Sequence, residues 1–245
     1  MIKYWKHRIK IEEVNMNLLV PSHSNGLTGS NPSKVPDHVA YGETPNVLDR
    51  IHEPRINLAI WHRALPAPLI KWLDALDYKI AKSILYTDIM RVYRGTPDEI
   101  WNAILKDMRF RNTDAESLEQ LLMDDAMLCA KEFARVIDQK MVLDFRLNGI
   151  GWGETKFHID GPAFRIVTTY RGKGTLWLPS SAANYSALHK THYTNKDVCR
   201  DKSQVQEMGR GDVAIIRGIE PDALVHRSPR VVTKDDFRIV LAINR

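Results

Sequence analysis

The 245-residue chain carries 35 Lys and Arg against 30 Asp and Glu, a formal net charge of +5, and is 44% hydrophobic, enough to bury one sizeable core. Its apolar runs fall well short of the roughly 18 residues a membrane span needs, and charges interrupt the opening MIKYWKHRIKIEEV, which excludes a secretory signal. With only Cys129 and Cys199 there is no metal-binding Cys pair and no disulfide framework, so a soluble cytoplasmic protein with reduced thiols is expected.

Residues 21–45 are rich in Ser, Asn, Gly and Pro and poor in large apolar side chains, which predicts a flexible arm or an irregular wrap spanning residues 1–50. Residues 56–61 (INLAIW) form a candidate strand. Leu69, Trp72, Leu73, Leu76 and Ile80 then follow helical spacing, so a helix starts near Pro66 or Pro68. Thr96-Pro97-Asp98-Glu99 and Thr113-Asp114-Ala115-Glu116 each set a hydroxyl at a helix start with a Glu three residues on, and open two more helices. The second places Leu118, Leu122, Cys129, Phe133 and Ile137 on one face, making Cys129 a small core residue. Residues 51–140 are therefore expected to be a mainly helical support region.

Beyond residue 141 the rhythm changes. FRIVTTY (164–170), GTLWL (174–178), DVAIIR (212–217), residues 223–226 and FRIVLAI (237–243) are short runs rich in β-branched and aromatic residues, each bounded by Gly, Pro or Asp. Short strands at that spacing predict a barrel or jelly roll, and with the helices before it an α+β fold. The segment of residues 180–208 is long for a strand connection, as lids and binding loops are, and is expected to overhang the site.

Chemistry concentrates at His158, Asp160 and His226. A strand alternates its side chains, so His158 and Asp160, two apart, point the same way and can grip one ion from a single edge. His226, one small β-domain later, closes the face. Two neutral imidazoles and one carboxylate on one face of an octahedron leave the other positions open, the ligand set of non-haem Fe(II) oxygenases. Further along, Phe237, Ile239 and Leu241 put Arg238 on the opposite face from the apolar set, where an ordinary strand arginine faces solvent. One alternate set of the 164–170 strand must line the interior; Tyr170, in register with Ile166 and Thr168, is the candidate for a hydrogen bond to a cosubstrate or substrate.

This pattern resembles the Fe(II)/2-oxoglutarate-dependent dioxygenase superfamily, whose double-stranded β-helix carries His-x-Asp near its start and a distal His near its end, with a basic residue on the last strand where Arg238 stands. Val240 occupies a position where many members have Ser. Over most of the chain from about Ile56, the strings FHIDGPAFRIVTTYRGKGTLWLP, GDVAIIRG, HRSP and FRIVLAIN are similar to the bacterial family known as domain of unknown function 1826. Lys173 and Leu176 depart there from the family's usual Pro and Glu. The resemblance implies a C-terminal, cupin-like double-stranded β-helix over residues 141–245, buttressed by the N-terminal helices. It also implies Fe(II) on His158, Asp160 and His226, and 2-oxoglutarate chelated through its keto-acid end with its far carboxylate on Arg238. Molecular oxygen would be consumed and a bound small-molecule or peptide substrate oxidised. A cupin-like metalloenzyme without 2-oxoglutarate, and a non-catalytic metal or small-ligand binder, are the two other readings of the same residues.

Residues 161–245 hold 14 Lys and Arg against 8 Asp and Glu, scattered among acids and without a basic, aromatic-studded run. A solvated surface comes first, an anionic substrate near Arg165, Arg171, Arg217 and Arg230 second, and nucleic acid last. Arg171-Gly172-Lys173-Gly174-Thr175 looks like a phosphate-cradling turn but precedes no helix, so it reads as a tight strand connection. His189 and His192 lack a carboxylate or Cys at ligand spacing and read as loop residues.

Overall fold

The β-branched runs assemble into two sheets, and a computed structural model describes them within residues 35–79, 81, 92–107, 116–137, 141–148, 153–219, 221 and 223–245. Strands β1 (Val39–Gly42) and β2 (Leu58–Trp61), helix α1 (Ala67–Ala75), strand β3 (Val92–Gly95), helices α2 (Pro97–Asp107) and α3 (Glu116–Ile137) and strand β4 (Met141–Asn148) come first. Then follow β5 (Phe164–Arg171), β6 (Leu176–Trp177), the one-turn helices α4 (Tyr185–Leu188) and α5 (Asn195–Val198), β7 (Gln206–Glu207), β8 (Val213–Arg217), β9 (His226–Arg227) and β10 (Arg238–Asn244). The larger, seven-stranded sheet has the order β1-β2-β8-β5-β10-β4-β3; the smaller has the order β7-β6-β9. Among the described residues, only β1 and β2 pair in parallel in the large sheet. From β5 onward the chain passes from the large sheet to the small one and back, twice, which is the winding of a double-stranded β-helix.

Alternation along β5, β8 and β10 sorts side chains to two faces. Ile166, Tyr170, Val213, Ile215, Ile239, Leu241 and Ile243 join the core under the helices, with Leu69 and Leu73 of α1 and Leu122, Cys129 and Phe133 of α3. Val167, Ala214, Ile216 and Val240 face Trp177 and Leu224 across the gap between the sheets. Between Ile239 and Val240 the β5–β10 register shifts, so Ile239 opposes Arg171 and Val240 opposes Thr169. That bulge turns Arg171 toward α1, where its Nε donates to the Leu73 carbonyl at 2.9 Å. A buried polar tie fixes α3 to the sheet: Asp125 accepts from both Arg63 Nη atoms and, at 2.8 Å, from the Tyr170 hydroxyl.

Helices α1 and α2 start where the sequence predicts. Glu99 accepts from the Thr96 backbone N–H at 2.8 Å, completing the box that opens α2. Helix α1 stops at Ala75, short of the spacing that extends to Ile80, which lies outside the described residues, as do residues 1–34 of the expected arm and Thr113, Asp114 and Ala115 of the second capping box. One expectation needs correcting: residues 39–42, within the expected arm, form β1, and the candidate strand at 56–61 supplies β2, so the large sheet draws strands from far ahead of residue 141. Ala40 and Ala59 are small enough to let this edge pack beneath the 3-10 turn at Pro45–His52, whose Val47, Leu48 and Ile51 are buried. Among the described residues no helix is long and apolar enough to cross a membrane.

Candidate metal centre

His158 and His226 face each other across an isolated antiparallel bridge at the edge of the small sheet. Each donates its backbone N–H to the other's carbonyl, at 2.9 and 3.0 Å, and the two imidazole centroids come within 4.6 Å. Both rings are oriented the same way: Nδ1 of His158 lies 2.9 Å from the Lys156 carbonyl and Nδ1 of His226 lies 3.1 Å from that of Leu224. A carbonyl only accepts, so each Nδ1 carries the hydrogen and Nε2 is the ring atom turned toward the cluster. Burial pushes the His226 imidazolium down to about 4, with Asp160 opposing the shift, so this ring is neutral near pH 7.

Asp160 completes the cluster. Its Oδ2 lies 3.4 Å from His226 Nε2 and its Oδ1 lies 3.8 Å from His158 Nε2; one donor atom from each of the three residues falls within 4.8 Å of the others. The two carboxylate oxygens have different surroundings. Oδ1 takes Arg165 Nη1 at 2.6 Å, whereas Oδ2 is buried with no hydrogen-bond partner. A buried, unpartnered carboxylate oxygen is disfavoured by a few kcal/mol, and one that faces imidazole lone pairs is an anomaly that a cation resolves. The three side chains can therefore hold one metal ion. Gly218 helps to place the carboxylate: a Cβ there would fall 2.1 Å from the Pro162 carbonyl oxygen and 2.8 Å from that of Asp160, so only glycine lets the end of β8 lie against the turn carrying Asp160.

A cavity of about 80 Å³ connects this cluster to Arg238, with Arg165, Val167, Thr175, Ile216 and Val240 among its walls. Arg238 is 2% exposed. Its Nε donates to the Lys173 carbonyl at 2.6 Å and its Nη2 lies 3.4 Å from Thr169 Oγ1, but no carboxylate of the described residues lies within ion-pair distance. Burial pulls its guanidinium down to about 10, opposed by the charge of Glu207. Gly172, at φ +82, allows the β5–β6 turn to rest on this side chain; a Cβ would stand 3.0 Å from Arg238 Cγ.

The structure brings His158, His226 and Arg238 to one cavity, sets Asp160 against the two imidazoles, and leaves Tyr170 out. Tyr170 points to the helical face, fully buried, with its hydroxyl on Asp125; the interior set of β5 is the other one, Arg165, Val167 and Thr169. Three of the arginines weighed for an anionic substrate are engaged within the protein: Arg165 by Asp160, Arg171 by the carbonyls of Leu73 and Phe237, and Arg217 by those of Ile51 and Ile56. Arg230 lines a second cavity of about 410 Å³ with Lys173 and Arg210, beyond Arg238. None of residues 180–208 lines the cavity at the cluster. They pack on Phe157 and Val225 through Ala187, Val198 and Cys199, and Asn195 and Tyr193 hydrogen-bond the backbone of Phe157. His189 and His192 are exposed. Arg165 is the functional side chain that sequence reasoning misplaced; its strand parity with Val167 and Thr169 is the signal that identifies it.

No curated protein matches the chain significantly. Similar solved structures include the rice dioxygenase for auxin oxidation, at 10% identity over 86% of this chain and 82% of that one, TM-score 0.42. Dioxygenase for auxin oxidation 1 from Arabidopsis thaliana, in complex with 2-oxoglutarate, gives 10% identity, 86% and 92% coverage and a TM-score of 0.43. HygX from Streptomyces hygroscopicus with nickel and 2-oxoglutarate gives 10%, 77% and 82%, and 0.34. At such scores the likeness assigns no chemistry, which has to come from this chain's own side chains. The model of one family, described as protein of unknown function (DUF1826), matches residues 42–244, nearly the whole of the described chain, and the protein belongs to that family.

Proposed function

We propose that the protein is a non-haem Fe(II)- and 2-oxoglutarate-dependent oxygenase acting on a small-molecule or peptide substrate. The observation that carries this reading is that His158 and His226, whose imidazoles meet a carboxylate with one orphaned oxygen, line the same cavity as a buried guanidinium that has no carboxylate partner among the described residues. His158 Nε2, Asp160 Oδ2 and His226 Nε2 would hold the iron, their orientation fixed by the Lys156 and Leu224 carbonyls and by Arg165. Arg238 would take the far carboxylate of the keto acid; the fork matches two oxygens, and the low polarity around it strengthens the pair. Bound iron and keto acid supply the oxidation, with oxygen consumed and succinate and carbon dioxide released. Val167, Ile216, Val240 and Ala242 line the cavity with hydrocarbon and keep water from the reacting centre.

Anaerobic titration of the Fe(II)-loaded protein with 2-oxoglutarate, followed by the visible metal-to-ligand charge-transfer band, tests the reading. A saturable band is expected, absent in His226→Ala. Iron binding without a band would move the assignment to a cupin-like metalloenzyme in which Arg238 grips the substrate's own carboxylate, and failure to bind iron would overturn the metal centre.

A further inference from the structure

We infer that Arg165 is a positioning residue that limits Asp160 to a single metal-facing oxygen and so keeps a coordination position open. The inference rests on the metal-binding part of the reading above and not on the identity of the cosubstrate. Arg165 enters the cavity from the first turn of β5, on the same face as Val167. Its Nη1 lies 2.6 Å from Asp160 Oδ1, and its Nε lies 2.6 Å from Asn244 Oδ1. The sheet register accounts for this: Asn244 of β10 is the direct cross-strand partner of Arg165. The guanidinium is thus anchored to the last strand at one end and to one oxygen of the carboxylate at the other. Both partners are largely buried, with the side chains of Arg165 and Asp160 19% and 4% exposed, so water does not compete effectively for either contact.

The consequence for coordination is arithmetic. A carboxylate binding through both oxygens occupies two positions of an octahedron; with two imidazoles it leaves two, whereas a carboxylate binding through one oxygen leaves three. The arrangement around Asp160 selects the second case, because Oδ1 is engaged by a charge-assisted hydrogen bond while Oδ2, nearest to His226 Nε2, has no partner. Among the described residues, Arg165 is the side chain that holds Oδ1 back from the ion. Arg165 also offsets the charge of Asp160, so that the site carries less net negative charge than its ligand set alone would give.

Mn(II) serves as the probe, because its bound waters are counted by water-proton relaxation without turnover. The wild-type protein is compared with Arg165→Met, Arg165→Lys and Asn244→Leu, each with no keto acid added. Per bound Mn(II), Arg165→Met is expected to lose roughly one third of the inner-sphere water contribution, as three open positions become two. Arg165→Lys, which keeps a cation and a donor beside Oδ1, is expected to restore the wild-type value, a rescue that a purely structural role does not require. Asn244→Leu, which loosens the anchor and leaves the arginine in place, is expected to fall between them and serves in place of Arg165→Met should that variant not fold. Equal relaxation per bound ion in wild type, Arg165→Met and Asn244→Leu would overturn the inference while leaving the metal centre intact. A wild-type protein that binds no Mn(II) would overturn both, and absence of the 2-oxoglutarate band affects only the cosubstrate.

Discussion

Replacing Arg238 with Met separates the cost of burying the guanidinium from its use. The drop from the ordinary arginine value to about 10, at about 1.4 kcal/mol per pH unit, amounts to roughly 3 kcal/mol by which folding disfavours the charged side chain. Its hydrogen bonds to Lys173 and Thr169 return an amount of similar size, about 1.5–3 kcal/mol for a charged donor. Methionine keeps much of the apolar stem, so in the absence of ligand Arg238→Met should unfold within about 1 kcal/mol of the wild type. The loss should appear on adding 2-oxoglutarate to the Mn(II)-loaded protein. At a hundred times its dissociation constant the ligand stabilises the wild type by about 2.7 kcal/mol; a variant binding about a hundredfold more weakly gains only about 0.4 kcal/mol at the same concentration. For a protein of this size the difference is a shift of roughly 5–9 °C in the ligand-induced rise of the melting temperature. The assay is thermal unfolding with and without keto acid, under nitrogen. A variant that is severely destabilised alone, yet shows the full ligand-induced rise, would make Arg238 a strut for the β5–β6 turn and refute the reasoning.

His158→Ala, Asp160→Ala and His226→Ala should each fold and lose Mn(II) affinity by more than the 10–100-fold typical of supporting residues, as read by titration monitored with paramagnetic resonance. Tyr170→Phe, which deletes the hydroxyl on Asp125, should lower stability to urea by about 1–2 kcal/mol and leave 2-oxoglutarate binding unchanged. Gly218→Ala should weaken metal binding, since the added methyl must displace the turn carrying Asp160; equal affinity in a well-folded variant would show that the turn is free to move. Burial raises the Cys129 thiol from 9.0 to about 12. The unfolded chain therefore releases this proton first, and the stability it contributes is complete below pH 9 and lost as pH rises toward 12. Urea unfolding from pH 8 to 11 should show that fall, made shallower by Cys129→Ala.

The sequence made the chemistry legible wherever one residue's type and parity sufficed. His158 and Asp160 share an edge because strands alternate, and Phe237, Ile239 and Leu241 set Arg238 on the other face of its strand. Parity alone does not say which face of β5 is roofed by helices and which by the small sheet, and that ambiguity sent Tyr170 to the wrong side. Its partner Asp125 lies on α3, a pairing between distant segments that no local pattern encodes. Likewise β1 looked like arm because its neighbourhood is rich in turn residues; it is a strand because β2 offers it a parallel edge. The strands of the small sheet are only two residues long, so the apolar runs 174–178 and 223–226 are longer than the pairing they support.

The bridge between His158 and His226 holds together two points of the chain that are far apart in sequence, with two backbone hydrogen bonds of its own and a third from the Ser228 N–H to the Glu154 carbonyl, at the margin of a three-stranded sheet. An ion shared by the two imidazoles would act there as a staple closing the loop from residue 158 to residue 226. Closing a long loop removes more freedom from the unfolded chain than closing a short one, so such a staple stabilises the whole winding of the β-helix and not merely its own ligands. Metal supply would then govern how long the folded protein persists as well as what it can catalyse.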